Sequence, residues 1–168
     1  ELQSAPYHPI FGDMGLFKYG ASGARRILYL ADNAGEIFFD RLLIEQLVSA
    51  KVTLVVRGMP VINDATREDA LAIRLDDIAE IIDNGSDAPG TILSDCSAEF
   101  REHFDAADMI ISKGQGNFET LSDEPRDIFF LFRTKCPVIS RHSGFAIGTY
   151  VAAHRLPGKA LRTSGGDA

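Results

Sequence analysis

The sequence feature that most constrains the fold is a repeated alternation between short apolar runs and segments of helical periodicity. Residues 26–31 and 52–56 are almost continuously apolar, and residues 36–50 between them carry apolar side chains at helical spacing. Such runs are typical of strands buried on both faces, and helices between them form right-handed crossovers between parallel strands. The sequence therefore predicts an α/β protein whose sheet is covered by helices on both faces.

The alternation continues along the chain. We predict further helices at 64–75 and 98–106, and further strands at 78–82, 109–112, 128–132 and 137–140. Together these segments predict a three-layer α/β/α domain with a mostly parallel, Rossmann-like sheet and a core over residues 26–140. The phenylalanine-rich stretch 129–132 and, in part, the pair Phe38 and Phe39 are expected to lie in the hydrophobic core.

The two ends of the chain look different from the core. Residues 1–25 are rich in Gly, Pro and aromatic side chains without a clear period, and we expect an irregular lead-in there. Residues 160–168 are expected to be a frayed tail. No repeat or composition shift divides the chain, so residues 1–168 are predicted to be one domain. The chain starts at Glu1 rather than at a methionine, which favours the core of a longer protein.

Composition and charge narrow the classes of partner. The 168 residues carry 17 Lys and Arg against 24 Asp and Glu, giving a net charge of -7. This balance argues against binding to nucleic acid or to a membrane surface, and no apolar run reaches the ~18 residues of a membrane helix. Two cysteines forty positions apart indicate no disulfide framework, and we expect a cytoplasmic protein. A phosphorylated substrate is compatible with the charge, because a bound metal reverses the local field of an acidic pocket.

Polar side chains gather directly after several predicted strands, in segments 32–36, 57–64, 113–117 and 133–135. In parallel sheets, ligands bind at the carboxyl ends of the strands. Asp32, Asn33 and Asp64 offer two carboxylates and an amide oxygen, which are hard ligands that suit Mg²⁺ or Mn²⁺. Lys113, in a Gly-flanked loop, offers a positive charge to a phosphate. The set suits metal-assisted phosphoryl transfer.

Each of these motifs also has a purely structural interpretation. Asp-Asn-Ala-Gly after a strand is ordinary turn chemistry, and Asp32 or Asn33 can cap the next helix. Asn63 and Asp64 precede a predicted helix and form a good N-cap. The Gly114-Gln-Gly116 segment can simply be a tight turn.

Four segments taken together resemble the DUF89 family of metal-dependent damage-control phosphatases. They are ILYLADNAGEIFFDRLLIEQL at 27–47, VVRGMPVINDATREDA at 55–70, ADMIISKGQGNFETL at 107–121 and LFRTKCPVI at 131–139. The resemblance implies that Asp32, Asn33 and Asp64 bind a divalent metal, which is Mn²⁺, Co²⁺, Ni²⁺ or Mg²⁺ in the family. Asp32 and Asp64 are then the candidate catalytic residues.

The resemblance also implies which residues contact the substrate. The candidates for substrate or phosphate binding are Glu36, Asn63, Lys113, Gln115, Asn117 and Lys135. Family members carry a helical N-terminal region that helps to wall the substrate pocket, and residues 1–25 would be a remnant of it.

We therefore expect a metal-dependent phosphatase that hydrolyses small phosphate monoesters, such as sugar phosphates and damaged phosphometabolites. The nucleophile stays open between a metal-activated water molecule and one of the aspartates. One alternative is an S-adenosylmethionine-dependent methyltransferase, in which Asp83 or Asp95 would bind the ribose. The other alternative is a non-catalytic, metal-binding core fragment.

Overall fold

Seven strands form one sheet in the part of the chain that the computed structural model describes, residues 10–12 and 14–155. The strands are β1 (Ile10–Gly12), β2 (Arg26–Leu30), β3 (Lys51–Val56), β4 (Glu80–Asp83), β5 (Met109–Lys113), β6 (Ile128–Arg133) and β7 (Tyr150–Arg155). Their order across the sheet is β1-β7-β6-β5-β2-β3-β4. Strands β2 to β6 run parallel, β7 is antiparallel to β6, and β1 is parallel to β7. The predicted, mostly parallel sheet is confirmed.

Helices cover both faces of the sheet. They are α1 (Met14–Gly23), α2 (Ile37–Ile44), α3 (Arg67–Ala72), α4 (Ala98–Ala106), α5 (Gln115–Leu121) and α6 (Pro137–Ser143), with a short 3₁₀ turn at Leu75–Asp77. Buried residues of α1, α2 and α3 belong to one hydrophobic cluster, and those of α4, α5 and α6 belong to a second. No helix in the described segments is long and apolar enough to cross a bilayer.

The continuous apolar runs are explained by this three-layer arrangement. In β2, Ile27 and Tyr29 belong to the first cluster, whereas Leu28 and Leu30 belong to the second. Successive side chains of a strand point to opposite faces, so a central strand with helices on both sides favours apolar residues on both of its faces. The three-layer α/β/α prediction is therefore confirmed, and burial of the sheet on both faces is the reason for the apolar runs.

The strand predicted at 137–140 is wrong, because this segment begins helix α6. Pro137 occupies the first turn, where a missing N–H and a fixed φ are compatible with a helix. Ile139 is buried while Val138 is 62% exposed, so one side of the helix supplies the core contact. Besides β5, the neighbour of β6 in the sheet is β7, which pairs with it over six residues.

The irregular lead-in expected over 1–25 is also wrong for its described part. Residues 10–12 form the edge strand β1, and Met14–Gly23 form α1. Phe17 fixes the helix on the sheet, with its ring edge-on to Phe129 at a centroid distance of 5.4 Å. The glycines of this segment interrupt the apolar pattern by which a helix is recognised in a sequence. Glycine also has a low helix propensity, and burial of the Phe17 ring outweighs it. Residues 1–9 and the expected tail at 160–168 lie outside the described residues, and the domain limits stay a prediction.

The two phenylalanine groups have opposite outcomes. Phe129, Phe130 and Phe132 are buried, as expected, whereas Phe38 and Phe39 are 57% and 69% exposed. The buried residues of helix α2 are Ile37, Asp40 and Ile44, which lie on one side of the helix. Phe38 and Phe39 lie outside this buried side and are therefore exposed.

We expect Phe130→Ala to lower the free energy of unfolding by about 3–5 kcal/mol, because it removes a fully buried ring from the second cluster. Phe38→Ala is the matched control and should change stability by no more than about 0.5 kcal/mol, since its ring is exposed. Denaturant unfolding of both variants measures the difference. Equal destabilisation by the two substitutions would contradict this packing.

Candidate functional site

Backbone pairing joins the two loops that carry the predicted metal ligands. Asp32 and Asn33 follow β2, and Asn33 forms an isolated antiparallel bridge with Asp64 in the loop after β3. The N–H of Ala65 donates to the carbonyl of Asp32 at 2.8 Å, and the N–H of Ala34 donates to the carbonyl of Asn63 at 2.8 Å. The four predicted residues 32, 33, 63 and 64 are therefore brought together.

The loop before Asp64 carries local strain. Ile62 has a φ of 51° although it is a β-branched residue, and its side chain is 89% exposed. Such residues avoid positive φ, so the surrounding hydrogen bonds hold the loop in this shape. Backbone strain of this kind often accompanies a functional site.

Asp32 stands directly over Gly114. A Cβ atom at position 114 would lie 2.1 Å from Cγ of Asp32, and Gly114 has a φ of 82°. Glycine is therefore required both by the backbone conformation and by the close approach of the carboxylate. The Gly114-Gln-Gly116 segment is the start of α5, and Gly114 is the residue that precedes its first turn.

Side-chain hydrogen bonds organise the first loop. The amide nitrogen of Asn33 donates to Oδ2 of Asp32 at 2.8 Å and to Oε1 of Glu36 at 2.9 Å. Its Oδ1 accepts a hydrogen bond from Asn63 at 2.7 Å. Asn33 thus orients a carboxylate on each side of it. Neither Asp64 nor Asn63 caps the next helix, because Thr66 is the N-cap of α3 and forms a capping box with Asp69.

Burial, together with the negative charges of Asp64 and Glu36, raises the pKa of Asp32 from its ordinary value to about 6. Its charged neighbours are the carboxylates of Asp64 and Glu36, which raise this pKa, and the cations Lys135 and Arg57, which lower it. The two carboxylates outweigh the two cations.

Lys113, at the end of β5, is one of the cations that line the cleft described below, with Arg133 and Lys135. Its ammonium group donates to Oδ1 of Asp40 at 2.8 Å and to Oε2 of Glu36 at 3.0 Å. Burial opposes its charge, but the two carboxylates outweigh burial and raise the pKa of Lys113 above its ordinary value. The same ion pair and the Asn33 hydrogen bond outweigh partial burial and lower the pKa of Glu36.

A buried arginine links the second ligand loop to the rest of the site. Arg57 donates from Nε to Oδ2 of Asp64 at 2.6 Å, and their side chains are 5% and 12% exposed. Its remaining nitrogens donate to the carbonyl of Gly90, to Thr91 at 3.2 Å and to Oδ1 of Asn117 at 3.1 Å. Sequence reasoning missed this role, although an arginine that closes an apolar strand was a possible signal.

A cleft of about 440 Å³ opens beside these groups. Its polar side includes Asp32, Glu36, Lys113, Gln115, Arg133 and Lys135, and its apolar side includes Ile10, Met14, Phe17, Leu43, Leu131 and Val151. A pocket with a few convergent polar groups and a titratable residue of perturbed pKa is the default candidate for a binding site.

The predicted substrate residues do not all face this cleft. Gln115 lines it and accepts a hydrogen bond from the N–H of Lys135 at 2.8 Å. Asn117 instead lies fully buried behind the cleft, where its amide donates to the carbonyls of Ala31 and Lys113. It therefore contacts the residue after β2 and the last residue of β5 from behind the cleft.

The acidic residues of the methyltransferase alternative lie elsewhere. Asp83 forms an ion pair with Arg67 at 3.3 Å and accepts from the N–H of Gly85. Neither Asp83 nor Asp95 lines the cleft. In the described segments no group of three His, Cys, Asp or Glu side chains is arranged to hold a metal. A cation beside Asp32 and Asp64 would therefore need amide oxygens or water as further ligands.

Residues 11–151 match the family model described as the damage-control phosphatase ARMT1-like domain. A solved structure of a DUF89 family protein from Pyrococcus horikoshii superimposes with a TM-score of 0.83 at 38% sequence identity, covering 94% of this chain and 55% of that one.

Curated relatives come from archaea. A damage-control phosphatase of Archaeoglobus fulgidus is 45% identical over 131 residues, which are 76% of this chain and 46% of the relative. A damage-control phosphatase of Pyrococcus horikoshii is 45% identical over 122 residues, which are 70% of this chain and 42% of the relative. An uncharacterized protein of Methanocaldococcus jannaschii is 42% identical over 137 residues, which are 78% of this chain and 45% of the relative. The chain thus spans about half the length of the curated relatives it matches.

We expect Asp32→Asn to stabilise the metal-free protein at pH 7. The folded-state pKa of Asp32 is raised from 3.8 to about 6, so the ionised carboxylate disfavours folding above pH 6. As pH falls, the folded protein binds this proton before the unfolded chain does, and the disadvantage disappears near pH 4. After a reduction for partial exposure, the gain at pH 7 is about 1–2 kcal/mol.

Urea unfolding at several pH values in the presence of a chelator measures this effect. Asp105→Asn on the exposed surface of α4 is the matched control and should be neutral throughout. A destabilised Asp32→Asn variant at pH 7, or a gain that is independent of pH, would contradict the electrostatic description.

Proposed function

The chain belongs to the damage-control phosphatase ARMT1-like domain family, and from this premise we propose that it forms the core of a divalent-metal-dependent phosphatase. The observation that carries the proposal is the placement of Asp32 beside Asp64 on two loops joined by backbone hydrogen bonds, with Lys113 lining the same cleft as Asp32. Asp32 and Asp64 would supply negatively charged oxygens to a metal, and Lys113 would supply a positive charge to a phosphate.

The donor set suits a hard divalent cation. Oδ1 of Asp32 and Oδ1 of Asp64 accept no hydrogen bond from residues of the described ranges, whereas each Oδ2 atom has a donor. Asn33 Oδ1 accepts one hydrogen bond and keeps a second lone pair for a metal. Oxygen ligands of this kind favour Mg²⁺ or Mn²⁺, and Co²⁺ and Ni²⁺ are further candidates. The repulsion that Asp64 and Glu36 exert on Asp32 supports the same proposal, because a bound cation would relieve it.

When bound, the divalent cation would supply Lewis-acid polarisation of the phosphoryl group. Lys113 would donate to a phosphoryl oxygen, and Lys135 would attract the phosphate at the mouth of the cleft. Asn33 and Arg57 hold the carboxylates of Asp32 and Asp64 in place. The nucleophile is either water or one of these two aspartates, and the position of Asp32 in the cleft favours it over Asp64.

We propose small phosphate monoesters as substrates, including sugar phosphates and damaged phosphometabolites. A cleft of about 440 Å³ is large enough for a small metabolite. Glu36 and Gln115 line the cleft, and we propose that they contact the substrate. Cys96 and Cys136 are both free thiols, which fits a reducing compartment such as the cytoplasm.

The first test measures Mn²⁺ binding and p-nitrophenyl phosphate hydrolysis by this chain. We expect hydrolysis with Mn²⁺, Co²⁺, Ni²⁺ or Mg²⁺ that EDTA abolishes, and at least a tenfold loss of Mn²⁺ affinity in Asp32→Ala. Asp105→Ala, a surface substitution of the same type, should bind the metal like the unmodified chain.

Calorimetry with Mn²⁺ measures metal affinity at the proposed site independently of turnover. Hydrolysis that survives EDTA, or unchanged Mn²⁺ affinity in Asp32→Ala, would contradict the metal site. Metal binding without turnover would contradict phosphatase activity of this chain and favour a non-catalytic core.

The second test concerns the exposed cation at the cleft mouth. We expect Lys135→Gln to weaken competitive inhibition by inorganic phosphate about 3- to 10-fold, because one partly screened charge is lost. The free energy of unfolding should stay within about 0.5 kcal/mol of the original value, since the side chain is exposed. Lys18→Gln on α1 is the control and should leave phosphate inhibition unchanged. An identical inhibition constant in the two variants would exclude Lys135 from phosphate binding.

A further inference from the structure

We infer that Asp40 and Tyr29, two residues buried behind the cleft, act as positioning residues that aim the ammonium group of Lys113 at the phosphoryl group. The inference rests on the proposed phosphatase function for the identity of the ligand. Its structural part concerns only how Lys113 is held, and that part can be tested without turnover.

Asp40 is anchored from two sides. Its side chain is 4% exposed, and its Oδ1 accepts hydrogen bonds from Lys113 at 2.8 Å and from the hydroxyl of Tyr29 at 2.7 Å. Tyr29 is completely buried in β2, and burial and the charge of Asp40 raise its pKa well above 10. The hydroxyl therefore stays protonated and keeps donating. These contacts join β2, α2 and β5 through one carboxylate oxygen.

The geometry leaves one proton of Lys113 for a ligand. A lysine ammonium has three donors, and two of them are directed to Asp40 and Glu36. Lys113 also lines the cleft together with Asp32. The third N–H is therefore available on the cleft side, where a phosphoryl oxygen would lie. Two anchors also restrict a long side chain that is otherwise flexible, which favours a fixed contact.

Helix α2 shows that this arrangement is built at some expense of stability. Glu36 and Asp40 are four residues apart at the start of the helix, so their side chains lie on the same face. Like charges at this spacing repel each other, and Asp40 is also buried, with no partner for Oδ2 among the described residues. Lys113 compensates for both carboxylates. A buried carboxylate close to a second carboxylate is unfavourable for stability, and such unfavourable arrangements are typical of functional residues.

The charged groups that face Lys113 come from several elements. Asp40 and Glu36 belong to α2 and its start, and Asp32 follows β2. Arg133 and Lys135, at and after the end of β6, line the same cleft. Removing Asp40 changes the charge next to Lys113 without touching the proposed metal ligands.

The test compares Asp40→Asn and Tyr29→Phe with the control Asp105→Asn. Steady-state hydrolysis of p-nitrophenyl phosphate with Mg²⁺ gives kcat and KM, and NMR of ¹³C-labelled lysine gives the pKa of Lys113 in metal-free protein. For Asp40→Asn we expect a 10- to 100-fold lower kcat with a much smaller change in KM, and a lower pKa of Lys113. Tyr29→Phe should lower kcat about threefold, because it loosens Asp40 but keeps its charge. The control should match the unmodified chain.

The outcomes separate this inference from the proposed function. No turnover by the unmodified chain with any metal, together with a lowered pKa of Lys113 in Asp40→Asn, would refute the phosphatase activity and support the positioning. An unchanged kcat and an unchanged pKa of Lys113 in folded Asp40→Asn would overturn the positioning. If Asp40→Asn does not fold, Tyr29→Phe decides through kcat, and an unaltered kcat in that variant overturns the inference.

Discussion

The buried ion pair between Arg57 and Asp64 is the interaction on which the arrangement of the site depends. Both side chains are almost fully buried, so each charge requires the other, and loss of one partner of such a pair typically costs about 3–5 kcal/mol. Arg57 also donates to Asn117 on α5 and to the carbonyl of Gly90. One guanidinium group therefore ties the loop after β3 to the helix that follows Lys113.

Repulsion among neighbouring carboxylates is the second constraint, and it works against stability. Asp32 is held beside Asp64 and Glu36 with a pKa of about 6, and Asp40 is buried with one oxygen unpartnered. A chain selected for stability alone would neutralise or expose such carboxylates. A divalent cation held by Asp32 and Asp64, after the carboxyl ends of β2 and β3, would remove the repulsion between these two carboxylates, whereas Lys113 compensates for Asp40.

Much of the fold could be predicted from local patterns. Continuous apolar runs identified β2, β3, β5 and β6, because a central strand covered on both faces is mostly apolar, with isolated exceptions such as Thr53 and Ser112. Segment 137–140 and residues 10–23 were predicted wrongly, since they are short and their character depends on contacts distant in the chain. Pro137 is compatible with a helix start as well as with an edge strand, and Phe17 decides the state of α1 only through Phe129.

The candidate site divides in the same way. The sequence by itself determined which strand ends carry Asp32, Asn33, Asp64 and Lys113, because the carboxyl ends of parallel strands converge on one edge of the sheet. Only the tertiary structure decided that Asp40 and Arg57 belong to the site and that Asn117 lies behind it. The reason is that periodicity and spacing report on one element at a time. The partner of a buried charge comes from a distant part of the chain, and three-dimensional packing alone selects it.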